Sequence, residues 1–543
     1  MKEKKNSFMG NVLVLMVAQV LIRVFGLIYK LIITNLDGFG DVGNGYYSAG
    51  YQIYTVLLLI SSQGIPNAMS KLVSEKVATG QYKAAHRIFK TAFLVFGIIG
   101  GLCSIILFAT SNFVATNILN VPDVKYVLRV LSPAIFFVSI SAVIRGYYMG
   151  LGNMKVSGTS QTLEQLFNCI LSITFVYAVL GRESYIMAAA GNLSTTVAIL
   201  LSFTYLVTYY KFRNKKYADR YKDIPQTEKP ERVKVIAKTI LMCAIPMTIG
   251  SVITAISSMI DTVTVSNCTQ IAYTGILESK EALEQMAMKF TGILSKVETI
   301  INLPIAVNLA FSAALVPAIT SAIVKNDRED ASKKISFSIA SSILVVLPCA
   351  VGFIVLADPI LKILYPNASD GAHILQIASV TMVFVAINQT ISGALFGLKK
   401  MYVPALAITV GCVIKFILNL ILIRNPNINI YGAAISSFVS QFITFIISYT
   451  VTKKEIKLHM NLKNNILKPI LAGALMGIVL FAVQNLLQGH ISNIILTVGN
   501  VILGAAVYVL AIVFLKVLSK EELLLLPMGD KAYKVLIKFR IYK

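Results

Sequence analysis

Residues Thr91 to Phe113, TAFLVFGIIGGLCSIILFATSNF, contain no charged side chain, and runs like this one recur along the chain with short polar joints between them. A helix of roughly 20 apolar residues has the length needed to cross a hydrocarbon core about 30 Å thick. Inside that core every backbone N–H and C=O must be satisfied by the segment itself or by a closed barrel. A barrel would read as segments of about ten residues alternating apolar with polar. Runs such as Ile343 to Leu356 do not alternate, so the spans are helices. With 56% hydrophobic and 14% charged residues over 543 positions, the chain exposes too much apolar surface for a water-soluble globule. It reads as an all-α integral membrane protein.

The spacing predicts about fourteen helices, near residues 8–34, 46–70, 91–113, 127–150, 157–180, 185–210, 235–262, 288–323, 335–357, 373–398, 402–423, 430–452, 466–488 and 491–515. The opening MKEKKNSF has no small-residue cleavage site after it, so the first span is expected to be retained. The formal charge of +24 follows the joints. Every second joint is basic: Lys2, Lys4 and Lys5; Lys71, Lys76, Lys83, Arg87 and Lys90; Lys155; KFRNKKYADRYK from Lys211; Lys325, Arg328, Lys333 and Lys334; Lys399 and Lys400; Lys453, Lys454, Lys457 and Lys463; and the tail from Lys516. Intervening joints such as LDGFGDVGNG, Leu36 to Gly45, hold few or no cations. The positive-inside rule then puts both termini in the cytoplasm. Topology accounts for the basic charge without a nucleic-acid partner, and the same loops can touch anionic lipid headgroups.

The chain also repeats itself. IRGYYMGLGNMKV (144–156) lies over ISGALFGLKKMYV (391–403), with Ile144/Ile391, Gly146/Gly393, Gly150/Gly397, Leu151/Leu398, Met154/Met401 and Val156/Val403 identical at one offset. The preceding LRVLSPAIFFV and LQIASVTMVFV keep that register, and IPNAMSKL from Ile65 echoes VPAITSAI from Val316. Three matches in the same order point to a duplication. Each copy holds an even number of spans, so the repeats are parallel, a design that encloses a central cavity opening alternately to the two sides. The expected organisation is an N-terminal lobe (1–210), a basic linker (211–234), a pseudo-symmetric C-terminal lobe (235–452), two further helices (453–517) and a tail (518–543).

Chemistry is sparse. No GxxxxGK[ST] phosphate loop occurs, and no joint is long enough for a nucleotide-hydrolysing domain. Cys103, Cys169, Cys243, Cys268, Cys349 and Cys412 are scattered without metal-ligand spacing, as are His86, His373, His459 and His490. No cofactor or metal is expected. Two homologous halves with Gly- and Pro-interrupted spans favour a secondary transporter or flippase over an enzyme or a static pore, and one chain encloses its own pathway as a monomer.

A charge at mid-bilayer costs about 2.5 to 3.5 kcal/mol on insertion scales, which singles out the ionisable residues within spans. Arg23 and Lys30 stand two turns apart on one face of the first span. Two roles are open to them: snorkelling and carbonyl bonding, or lining the cavity as an anion site with Lys296 of the eighth span as a further cation. Arg145 and Glu164 flank a short joint at equal distances and are expected to pair, either as a clamp or as a gate. Glu298 lies two residues from Lys296 and faces elsewhere on a regular helix. Asp261, with Lys415 and Asn419 one turn apart, forms either an ion-coupling group or a plain buried pair. The stretch GYYSAGYQIY (Gly45–Tyr54), with Gln52, Gln63 and Asn67, suits a sugar-bearing ligand or an interfacial aromatic belt.

GYYSAGYQIYTVLLLISSQGIPNAMSKLVSE, AVIRGYYMGLGNMKVSGTSQTLEQL and LPIAVNLAFSAALVPAI resemble signature segments of the stage V sporulation protein B and Gram-positive lipid II flippase branch of the multidrug/oligosaccharidyl-lipid/polysaccharide exporter superfamily. The likeness covers essentially the whole chain, including two helices after a twelve-helix core. It implies translocation of an undecaprenyl-diphosphate-linked saccharide such as lipid II to the outer leaflet of a bacterial plasma membrane, with Arg23 at the place of an essential first-helix arginine. A teichoic-type or other lipid-linked oligosaccharide, or a multidrug substrate, is the alternative. Where relatives carry further arginines this chain has Tyr29 or Lys30 and an uncharged Leu57 to Ser62, and Asn168 stands where a basic residue is common. Some relatives bind sodium at positions matching Asp261 and Asn419. Here Lys415 falls at another ligand position, so its ammonium is expected to replace the ion, leaving membrane potential or protons to drive transport.

Overall fold

The computed structural model describes residues 21–220, 232–325, 327–456 and 461–517. Lys2, Lys4, Lys5, Lys457, His459, residues 221–231 of the linker and the tail 518–543 lie outside them, as does the start of the first span. The described chain is built almost wholly of helices: α1 (21–34), α2 (Gly40–Ser62), α3 (Ile65–Ala78), α4 (Tyr82–Phe113), α5 (Val124–Gly150), α6 (Met154–Ala178), α7 (Ser184–Arg220), α8 (Val233–Tyr273), α9 (Lys280–Val324), α10 (Arg328–Val355), α11 (Ala357–Leu364), α12 (Ala372–Gly397), α13 (Tyr402–Leu422), α14 (Ile430–Ile456), α15 (Lys468–Leu487) and α16 (Asn493–Phe514).

Among the described residues, eleven helices are long and apolar enough to cross a membrane. Three of the fourteen expected segments are not among them. Of the first expected segment, 8–34, only residues 21–34 are described. The single span expected over 46–70 is two helices, because Gly64 interrupts it and Pro66 starts α3. A Cβ on Gly64 would collide with the Ala244 carbonyl, and its N–H donates to Thr248 Oγ1 at 3.1 Å, so the break is fixed by α8. The third, α6, opens on the polar run VSGTSQTLEQ, residues 156–165.

Packing divides the chain into two compact units. The first comprises 1–296 with 419–430, and the second 297–418 with 431–543. In the first, α4, α3 and α2 pack on α5, α6 packs on α7, and α8 lies against α2, α3 and α4. One core gathers Ile33, Tyr47, Tyr54, Leu128, Met187 and Met288; another gathers Met69, Phe89, Val143, Tyr148, Leu206 and Ile240. In the second unit, α10 packs on α12 and α15 on α16. Ile335, Ile391 and Leu395 form one of its cores, and Met476, Leu480 and Tyr508 another.

The duplication has a structural counterpart inside each unit. In the first, α5 presses Gly146 and Gly150 against α3: added Cβ atoms would stand 2.6 Å from Met69 Cβ and Val73 Cβ respectively. In the second, α12 presses Gly397, the repeat mate of Gly150, against α9, where a Cβ would stand 2.8 Å from Ile319 Cβ. These are the segments that echo each other in sequence, IPNAMSKL and VPAITSAI. Small residues let helix backbones approach closely where lipid offers no hydrophobic drive for packing.

Candidate functional site

Arg23 and Gly26 share a face of α1. A Cβ on Gly26 would sit 3.7 Å from Gln165 Nε2, so this face lies beside α6. Arg23 is exposed, and it and Glu164 both stand within electrostatic reach of the Tyr51 hydroxyl on α2. Tyr51 belongs to a ladder. Tyr29 and Tyr47 join hydroxyls at 3.2 Å, Tyr51 stacks on Tyr47 at 6.3 Å between ring centroids, and Tyr54 follows at 5.6 Å. Gln52 is half-buried; Gln63 and Asn67 are exposed.

Behind Glu164, the structure brings together Arg145 and that carboxylate at 2.6 Å. The buried guanidinium also donates through Nε to Ser160 Oγ at 2.9 Å and through Nη2 to Ser202 Oγ at 3.2 Å, tying α5, α6 and α7 into one network. Its fork accounts for several donors at once, which a lysine could not supply. Asn168, one turn beyond Glu164, lies in another such knot. Its Oδ1 accepts from Ser172, Ser194 and Thr195 at 3.2, 2.9 and 3.2 Å. A basic residue at that position would face three hydroxyls rather than a counter-charge.

Lys296 is fully buried and its Nζ lies 2.7 Å from Asp41 Oδ1. Lys30 Nζ donates to Ser295 Oγ at 2.7 Å, and Asn44 Nδ2 donates to the Gly292 carbonyl at 2.8 Å. Backbones meet at the same place, since Cβ atoms on Gly45 and Gly292 would collide with the carbonyl oxygens of Met288 and Asp41. The N-terminal turns of α2 are thereby locked onto α9. Asp41 went unnoticed in the sequence because it lies in a joint, outside the expected span 46–70. The signal was the mid-span Lys296, which required a carboxylate.

Asn419 Nδ2 donates to Asp261 Oδ1 at 3.0 Å and to Thr264 Oγ1 at 2.8 Å. Its own Oδ1 is buried without a hydrogen-bond partner. Lys415, one turn earlier on α13, is buried, and Glu298 is half-buried. A sodium shell needs oxygens converging on one point. Here the amide nitrogen, not the oxygen, faces the carboxylate. All six cysteines are free, and among the described residues no three His, Cys, Asp or Glu side chains gather as metal ligands.

Long apolar helices, glycine-mediated crossings repeated in both halves, and a few ionisable groups paired within them define a multi-pass membrane protein with the transporter fold of the multidrug/oligosaccharidyl-lipid/polysaccharide superfamily. The family model for polysaccharide biosynthesis proteins matches residues 8–322, and that for MatE matches 289–421. The chain belongs to the polysaccharide biosynthesis protein family. It is 24% identical over 416 residues to lipid II flippase MurJ of Bacillus subtilis (strain 168), covering 74% of this chain and 75% of that one. It is 23% identical over 435 residues to stage V sporulation protein B of the same organism, covering 80% and 81%. A solved structure of lipid II flippase MurJ in an inward closed conformation superposes with a TM-score of 0.67 at 16% identity, over 91% of this chain and 97% of that one.

Proposed function

We propose that the chain is a flippase that moves an undecaprenyl-diphosphate-linked saccharide, lipid II foremost, from the inner to the outer leaflet of a bacterial plasma membrane by alternating access. The observation that carries this reading is Arg23: an exposed guanidinium on a mostly apolar helix, within electrostatic reach of the tyrosine ladder. Its planar fork donates parallel bonds that suit diphosphate oxygens. The family and the resemblance to MurJ support the substrate class.

Lys30 and Lys296, also assigned here to the headgroup, are engaged by Ser295 and Asp41. Separation of α9 from α1 and α2 would release them, so that the cations offered to the diphosphate change with the conformation. With both termini cytoplasmic, the α2–α9 contact lies toward the outer face and closes it. A monomer would suffice, with basic loops resting on anionic lipids. The Asp261–Asn419 pair is read as satisfied without sodium, leaving membrane potential or protons as the drive.

A multidrug exporter would want an accessible carboxylate for a cationic cargo, whereas Glu164 is held by Arg145. Another lipid-linked glycan, of capsular or teichoic type, would use the same cations. The deciding experiment is lipid II translocation in cells depleted of their own flippase. Rescue by wild type and failure by a stably inserted Arg23→Ala are expected. No rescue by well-inserted wild type would move the substrate to another undecaprenyl-linked glycan.

A further inference from the structure

Three rings of the tyrosine ladder are buried, Tyr29, Tyr47 and Tyr54 at 9%, 2% and 1% exposure, while Tyr51 between them is 36% exposed. Tyr51 is braced by two neighbouring rings, nearly parallel to Tyr47 with 16° between ring planes and tilted 50° to Tyr54. Tyr47 is itself tied to Tyr29. The open ring is therefore fixed before any ligand arrives, which lowers the ordering cost of binding.

This surface is not built to face lipid. Arg23 is exposed and Glu164 retains 26% side-chain exposure, and neither charge is tolerated against hydrocarbon. The buried Tyr54 hydroxyl has no hydrogen-bond partner and stands within electrostatic reach of Tyr51 and Glu164. A rigid aromatic face beside a forked cation matches a ligand that carries an apolar C–H face next to an anionic group. In a polyprenyl-diphosphate-linked saccharide the first sugar is joined directly to the diphosphate, so a stacking ring and a diphosphate cation must be neighbours.

We infer that Tyr51 is the saccharide platform of the substrate site: the C–H face of the sugar nearest the diphosphate lies on its ring while Arg23 holds the diphosphate. The inference rests on the flippase reading and adds a subsite to it. Tyr51 is a positioning residue for the headgroup.

The test is binding to the purified full chain in nanodiscs of two ligands, undecaprenyl diphosphate and its saccharide-bearing form. Wild type should bind the glycosylated lipid more tightly. Tyr51→Phe should behave as wild type, because stacking needs the ring and not the hydroxyl. Tyr51→Leu should weaken the glycosylated lipid by at least about fivefold and leave undecaprenyl diphosphate unchanged. Equal weakening of both ligands, or of neither, overturns the platform. Wild type binding both ligands equally removes the platform and leaves the flippase reading standing; wild type binding neither removes both. A measurement that needs no variant guards against misfolding: nitration of Tyr51 should be blocked by the glycosylated lipid and not by undecaprenyl diphosphate, and equal protection by the two would also overturn the assignment.

Discussion

Lys296 Nζ lies 2.7 Å from Asp41 Oδ1, and the two side chains are only 0% and 5% exposed. Removing one member of a buried pair strands the other charge, which costs about 3 to 5 kcal/mol, whereas removing both is far milder. Asp41→Asn alone should therefore lower the thermal midpoint sharply, and Asp41→Asn combined with Lys296→Met should recover most of the loss. A double-mutant cycle on the protein in detergent reads the coupling. Additive losses would mean that the pair is not closed in the resting protein.

The α2–α9 crossing depends on missing side chains. A Cβ on Gly292 would collide with the Asp41 carbonyl oxygen, and that neighbour is backbone, so Gly292→Ala should cost about 1 to 3 kcal/mol or more. Gly499 on α16 has nothing within 4 Å of its would-be Cβ, so Gly499→Ala should leave stability unchanged or slightly raised. Thermal midpoints of the two variants, measured side by side, check the contrast.

Arg145 distributes its donors among Ser160, Glu164 and Ser202. Arg145→Lys keeps the charge but cannot reproduce the fork, so it should resemble Arg145→Ala in stability, each losing about 3 kcal/mol or more. Wild-type stability in Arg145→Lys would show that charge alone suffices.

Gly152 and Lys399 are repeat mates, and both take the left-handed conformation, with φ 78° and 61°. Glycine enters that region freely, whereas another L-residue pays about 1 to 2 kcal/mol there. Lys399→Gly is expected to stabilise the second unit by up to about 1 kcal/mol, visible as a raised midpoint in thermal unfolding. A lowered midpoint would assign the lysine side chain a contact worth more than the strain.

Asn419 turns its amide nitrogen to Asp261 and Thr264. Exchanging sodium for potassium should then leave the thermal midpoint unchanged. A sodium-dependent rise that vanishes in Asp261→Ala would sink the sodium-free reading of this group.

How much was legible in sequence differs from residue to residue. The apolar run Thr91–Phe113 announces a span because membrane insertion depends on local composition, and the matched glycines Gly150 and Gly397 announce a duplication because register survives in the text. The proximity of Arg145 and Glu164 also follows from local geometry, since both flank one tight joint. Gly64 was harder: its effect on the span 46–70 comes from a distant carbonyl, that of Ala244.

By itself the sequence determined a helical membrane protein of two related halves, with a handful of cations too costly to be idle. Tertiary structure decided which of those cations are engaged and by whom. Asp41 and Lys296 are 255 residues apart and belong to different copies of the repeat, so no helical spacing relates them. Tyr51 and its buried neighbours look alike in sequence and differ only in what packs against each ring. Hydropathy is a property of each segment alone, whereas pairing and exposure depend on which segments the folded chain brings together.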